Sequence, residues 1–134
     1  IGLNSRHTRY DLCRSILEGV SFQLAQIKNQ ISTIQPFSSM CLVGSAASQA
    51  WQQILSDVLE VEITAFDHSS LIGCIGSAVA LGELSNYSDV YYFRQNPTIT
   101  LPIEKNVKMY QEIFPAFEDC YYALADISKH LGQL

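Results

Sequence analysis

Positive charge is scarce in this sequence: 8 Lys and Arg stand against 13 Asp and Glu, and they cluster nowhere along the 134 residues. A surface that tracks a phosphate backbone needs such a cluster, so nucleic acid is set aside as a partner. Long apolar runs are missing as well. Hydrophobic residues make up 48% of the chain, yet polar side chains interrupt every run well before the roughly 20 residues of a membrane span. A soluble protein with no membrane partner is expected. Cys13, Cys41, Cys74 and Cys120 lie far apart, with neither zinc spacing nor a C-x-x-C pair. In their apolar contexts they read as small, buried, reduced side chains, which suits a cytoplasmic protein. His7, His68 and His130 have no second ligand at helical spacing, so no metal site is expected within the chain. No internal repeat or low-complexity tract appears and no signal peptide is expected; Ile1-Gly2-Leu3-Asn4 reads instead like the end of a strand cut from something longer.

What is present is a regular alternation of helix and strand signals. Thr8, with Asp11 three residues on, marks a helix start, because the hydroxyl caps a free amide and the carboxylate faces the positive end of the dipole. Leu12, Ile16, Val20, Leu24, Ile27 and Ile31 then recur at three- and four-residue steps along one face. Gln35-Pro36-Phe37 breaks the pattern, and Met40-Cys41-Leu42-Val43 suits a strand covered on both faces. Ser48 caps a second helix with Trp51, Ile54, Leu55, Val58 and Leu59 as its buried stripe and Gln52, Gln53 and Asp57 turned outward. Val61 to Thr64 alternates as a short strand does. Asp67-His68-Ser69-Ser70 reads as a polar turn, followed by a third helix rich in small residues around Gly73, Gly76, Ser77 and Ala78. Residues 86–102 read as an irregular connection. Val107, Tyr110, Phe114, Phe117, Tyr121, Leu124, Ile127 and Leu131 have helical spacing, divided by Pro115 into a terminal helix pair. The order predicts one α/β domain with an incomplete sheet.

Several segments match a known pattern in order and at nearly the right intervals. Gly2-Leu3, seven residues, then Asp11-Leu12-Cys13-Arg14-Ser15-Ile16-Leu17-Glu18-Gly19 resembles the latter part of the second signature of the FGGY carbohydrate kinases. Val43-Gly44-Ser45-Ala46-Ala47-Ser48-Gln49-Ala50-Trp51-Gln52-Gln53, continuing to Asp57, is similar to that family's adenosine segment. There a glycine triplet, Ala, a basic residue and Ser usually precede Trp-x-Gln-x-x-x-Asp. Cys74-Ile75-Gly76-Ser77-Ala78-Val79 is similar to the Leu-Gly-Ala-Ala helix start that follows, and Tyr110 to Phe117 to the closing helix of the gluconate and xylulose kinase branches.

The resemblance implies a partial actin-like (ribonuclease H-like) ATPase domain with C-terminal helices, residues 1–134 forming the nucleotide-side domain with the N-terminal domain absent. It implies ATP with Mg²⁺, and a small sugar or sugar acid of gluconate or xylulose type held through the missing domain. Phosphoryl transfer in such a site is largely positioning and charge stabilisation. The family's catalytic Asp lies upstream of the matched region and has no counterpart here, so no catalytic residue is assigned. Gly44, Ser45 and Ser48 are the candidates for nucleotide contact, since amides after a strand and before a helix can face a phosphate or an adenosine. Gly76 and Ser77 are candidates for the adenine side. The alternative is an ordinary strand-to-helix turn and plain helix packing.

Trp51 is expected in the core, Glu18 is expected to hold a neighbouring loop or backbone in place, and Asp11 to cap or be solvated. The tyrosines Tyr91, Tyr92, Tyr121 and Tyr122 are expected to pack the tail. The sequence departs from the family where Val43 and Ser45 replace glycines and Ala47 the basic residue. That departure admits a second reading, a degenerate kinase-like binding or regulatory module. A third is a domain fragment that only self-associates; an unpaired sheet edge makes a homo-oligomer the expected state.

Overall fold

The computed structural model describes residues 2–43, 48–66, 69–87 and 97–132. Four helices and three strands alternate: α1 (Arg9–Ser32), β1 (Ser39–Val43), α2 (Gln49–Leu59), β2 (Glu62–Phe66), α3 (Ser69–Ala80), β3 (Thr98–Thr100) and α4 (Glu104–Leu131). β1 and β2 run parallel, from Ser39 opposite Glu62 to Val43 opposite Phe66, and β3 adds antiparallel to β2 with Ile63 opposite Thr100. The sheet order is β1-β2-β3.

The N-terminus of α1 forms as its sequence dictates. Thr8 accepts from the Asp11 amide while the Asp11 carboxylate accepts from the Thr8 amide at 2.7 Å, a reciprocal capping box. That backbone bond and the Thr8 hydroxyl hold the Asp11 carboxyl below the usual range. Preceding residues 2–4 are irregular and not a strand end.

α2 is the centre of the molecule. Leu55 and Leu59 pack with Ala25 of α1, with Val61 just before β2 and with Ile63 in it, and Trp51, Val58 and Phe114 close around them. Trp51 therefore belongs to the core margin, as expected, although its indole N–H is buried without a hydrogen-bond partner. Because α1, the sheet and α4 all lean on this one helix, it is buried nearly all round. Gln52 and Asp57, expected to face outward, are both buried.

Other expectations are also corrected. β1 is covered on one face only: Met40 and Leu42 turn to the core while Cys41 and Val43 are exposed. Three of the four cysteines, Cys13, Cys41 and Cys74, are exposed and not buried as expected; Cys41 lies on the strand face opposite Met40 and Leu42. Ser69 and Ser70 open α3 and do not form a turn. Residues 98–100 form a strand inside the stretch read as irregular. α4 is one helix of 28 residues through Pro115. A proline there removes one backbone bond and costs about 3 kcal/mol. Phe114 and Phe117 on either side pack at a tilt against Phe22 of α1, with centroids 5.8 and 5.1 Å away, and that packing holds both halves in line. Tyr121 and Tyr122, expected to pack the tail, are exposed; Tyr91 and Tyr92 lie outside the described residues.

Candidate functional site

Two parallel strands that end in register bring their following segments to one edge of the sheet. Val43 and Phe66 are partners at the last rung. From there the chain re-enters helix at Gln49 on one side and Ser69 on the other. In open α/β sheets this edge, outside the carboxyl ends of the strands, is where ligands meet helix N-termini.

Gly44 and Ser45, the first two candidates, lie outside the described residues, as does the Asp67-His68 turn. Ser48 is described and exposed. It is the N-cap of α2, its Oγ accepting from the Trp51 amide at 3.3 Å. A serine hydroxyl also carries a proton to donate, so the cap leaves it one interaction to offer a ligand. Gly76 and Ser77 sit on α3, about 10 Å along its axis from the first residue at 1.5 Å per step. Both are exposed, and a Cβ built on Gly76 would meet nothing within 4 Å. The fold therefore does not demand glycine there. Beside the first turn of α2 a groove of about 540 Å³ runs between Gln49, Ala50 and Gln53 and the strand residues Thr98–Leu101. Gln53 closes its floor by donating to the Leu101 carbonyl at 3.1 Å.

What fixes α2 beneath this edge is a buried carboxylate. Asp57 accepts from the Gln53 side chain at 2.8 Å, from the Ile103 backbone amide at 2.7 Å and from Asn106 Nδ2 at 2.8 Å. Ile103 is the N-cap of α4 and has no cap bond of its own, so Asp57 serves as its cap from another helix. Ser56, fully buried, donates to the Val61 carbonyl at 2.8 Å and ties the end of α2 to the start of β2. An Asp four positions after Gln53 was part of the family pattern; that its donors would include the α4 terminus was not readable.

A second polar cluster joins α1 to α4. Glu18 Oε1 accepts from Arg14 Nε at 2.7 Å and from the Tyr110 hydroxyl at 2.9 Å, and Arg14 Nη2 donates to that hydroxyl at 2.8 Å. Burial, then the bond to Glu18, pushes the Tyr110 phenol up to about 12, and the Glu18 bond raises the Arg14 guanidinium above its ordinary value. Glu18 therefore joins α1 to α4 through side chains, where a hold on a neighbouring loop or backbone had been expected. Among the described residues no three His, Cys, Asp or Glu side chains gather to hold a metal, and no helix is long and apolar enough to cross a membrane.

Comparison with known proteins places this geometry in a class. The profile of the FGGY family of carbohydrate kinases, C-terminal domain, matches residues 1–82. The chain belongs to that family. It is 27% identical to the gluconokinase of Bacillus subtilis (strain 168), across 97% of its own length and 28% of that protein. It is 27% identical to a xylulose kinase of Staphylococcus epidermidis, across 98% and 28%. The chain thus spans little more than a quarter of the curated relatives it matches. Among solved structures, xylulose kinase from Rhodospirillum rubrum superposes with a TM-score of 0.79 at 22% identity, across 95% of this chain and 27% of that one. Gluconate kinase from Lactobacillus acidophilus superposes with a TM-score of 0.75 at 24% identity, across 93% and 26%. The fold is accordingly mixed α/β and partially actin-like.

Proposed function

We infer that the full-length protein phosphorylates a sugar or sugar acid, of gluconate or xylulose type, with ATP as donor, and that this chain supplies its nucleotide-side domain. The observation that supports the reading is the shared end of β1 and β2, after which the chain enters α2 on one strand's side and α3 on the other's. Amides before α2 accept negative charge favourably, the Ser48 hydroxyl donates one hydrogen bond, and Gly76 and Ser77 leave the α3 side free of bulk. Mg²⁺, in this reading, arrives with the nucleotide phosphates, which suits a small ion that keeps its waters and takes few protein ligands. The bound ion would neutralise charge on the transferring phosphoryl group. The sugar, its deprotonating carboxylate and a cytoplasmic setting belong to the full-length protein in this proposal. Studied by itself, the chain is expected to self-associate through the edge of β1 that no described strand covers.

Calorimetric titration of the chain with MgATP and with ADP tests the reading. Saturable binding that Gly44→Val removes supports it, because a branched side chain there obstructs approach to the amides. The glycine positions occupied by Val43 and Ser45, and the basic position occupied by Ala47, favour a second reading as a kinase-like module without activity. Failure of the full-length protein to bind either nucleotide would select it.

A further inference from the structure

Gln53 is held in one orientation by two neighbours that only accept. Its Nε2 lies 2.8 Å from Asp57 Oδ1 and 3.1 Å from the Leu101 carbonyl oxygen. A carboxylate and a backbone carbonyl carry no proton to give, so both amide hydrogens are committed to them and the side chain cannot turn end for end. What Gln53 has left to offer is its oxygen, Oε1. Asp57 is itself fixed, since it is buried and also accepts from the Ile103 amide and from Asn106. The orientation of one amide in the second turn of α2 is thus set from the start of α4.

Gln53 also lines the groove between the first turn of α2 and β3. Thr100, in the same lining, gives its hydroxyl proton to Gln52 Oε1 at 3.3 Å and keeps only lone pairs for anything else. Gln49 and Thr98 are exposed and can present either a donor or an acceptor, so they set no preference. The two lining side chains whose roles are fixed therefore both accept. Such a groove selects a ligand group that donates. Among purine bases, adenine carries an exocyclic amino group where hypoxanthine carries a carbonyl. The amino group meets Gln53 Oε1 with a hydrogen bond, whereas the carbonyl sets two acceptors face to face and takes water from both.

We propose that Gln53 selects the base of the bound nucleotide, its Oε1 accepting from the amino group of adenine, and that Asp57 is the positioning residue that keeps this oxygen, and not the amide nitrogen, available to the base. The inference rests on the nucleotide reading of this chain and adds to it a reason for adenine.

Calorimetry with the magnesium complexes of ADP and of inosine diphosphate, which set that amino group against a carbonyl, tests it. The chain is expected to bind ADP about tenfold tighter than the inosine nucleotide. Gln53→Met keeps the length and the half-buried packing but removes the amide, and is expected to bring the ratio of the two affinities to about one. Asp57→Asn lets the Gln53 amide reverse, because an Asn offers either a donor or an acceptor, and is expected to lower the same ratio by about threefold. A purely structural loss weakens both nucleotides alike, so Tyr110→Phe, which loosens α4 elsewhere, is expected to keep the unsubstituted ratio. Equal affinities in the unsubstituted chain, or a preference that survives Gln53→Met, would overturn the inference while leaving the nucleotide site in place; a ratio unchanged in Asp57→Asn would take the positioning role from Asp57. Binding of neither nucleotide would remove the nucleotide reading and this inference with it. A second measurement needs no nucleotide: the side-chain amide protons of Gln53 are expected to exchange with solvent about tenfold more slowly than those of exposed Gln49. Equal exchange would overturn the fixed orientation on which the inference stands.

Discussion

The Asp57 carboxylate on α2 accepts the backbone N–H of Ile103 at 2.7 Å and so caps a helix that begins 46 residues later in the chain. Because it also takes Gln53 and Asn106, its removal takes the acceptor from Ile103 and Asn106 and leaves Gln53 only the Leu101 carbonyl. Asp57→Ala is expected to cost about 2–3 kcal/mol, since a buried donor without a partner forfeits its full desolvation cost. Asp57→Asn, which keeps one acceptor oxygen but turns an NH₂ toward the other donors, should cost about half as much. Urea denaturation of the two variants checks the order; equal losses below about 0.5 kcal/mol would deny the cap.

Tyr110 links α1 and α4 with a phenol that ionises only near 12. A group whose folded value is raised contributes stability fully below its unfolded value, here the ordinary 10.0 of tyrosine, and loses it as pH rises through the folded value. The chain should therefore weaken between about pH 10 and 12. Tyr110→Phe keeps the edge contact with Phe22 but loses the hydroxyl. It should cost about 1 kcal/mol at neutral pH and flatten that alkaline loss, measured by denaturation across the range.

The start of α1 rests on Thr8 and Asp11. Thr8→Ala is expected to cost about 1 kcal/mol. Asp11 ionises below the usual carboxylate range, so its contribution is present above the ordinary value and fades as pH falls through the depressed one. Amide exchange at residues 9–12 should quicken in acid and in the variant, with exchange in α2 unaltered.

Gly76 separates packing from binding. With no atom within 4 Å of an added Cβ, Gly76→Ala should fold and gain about 0.5–1 kcal/mol from helix propensity. If the α3 side borders the nucleotide, its affinity should fall while stability rises. Unchanged affinity would leave Gly76 with no part in the site.

Much of this architecture was legible in order and spacing. The capping box of α1, the stripe of α2 and the β2 alternation are local signals, and the structure keeps all three. What failed was the assignment of faces, because faces depend on neighbours. All of the α1 stripe but Leu24 is open, since the described chain packs against the other side of the helix, and Asp57 is buried since α4 folds back over it. Thr98-Ile99-Thr100 carried a strand signal in its β-branched alternation, too short to stand out beside the irregular residues before it. Pro115 suggested a break, and a cluster of three phenylalanines outweighed it. Of the site, the placement of Ser48 as a cap followed directly from sequence; Gly44 and Ser45 rest on the family pattern alone.

The central claim is that nucleotide meets the shared carboxyl edge of β1 and β2. A chain of 15.0 kDa is small enough for an amide-resolved NMR titration with ADP and Mg²⁺, which reads the location directly. The account predicts shifts concentrated in residues 43–51 and 66–80, with the Trp51 indole among them and the second half of α4 unmoved. Shifts confined to α1 and the exposed end of α4 around Tyr121, or none at saturating nucleotide, would contradict it.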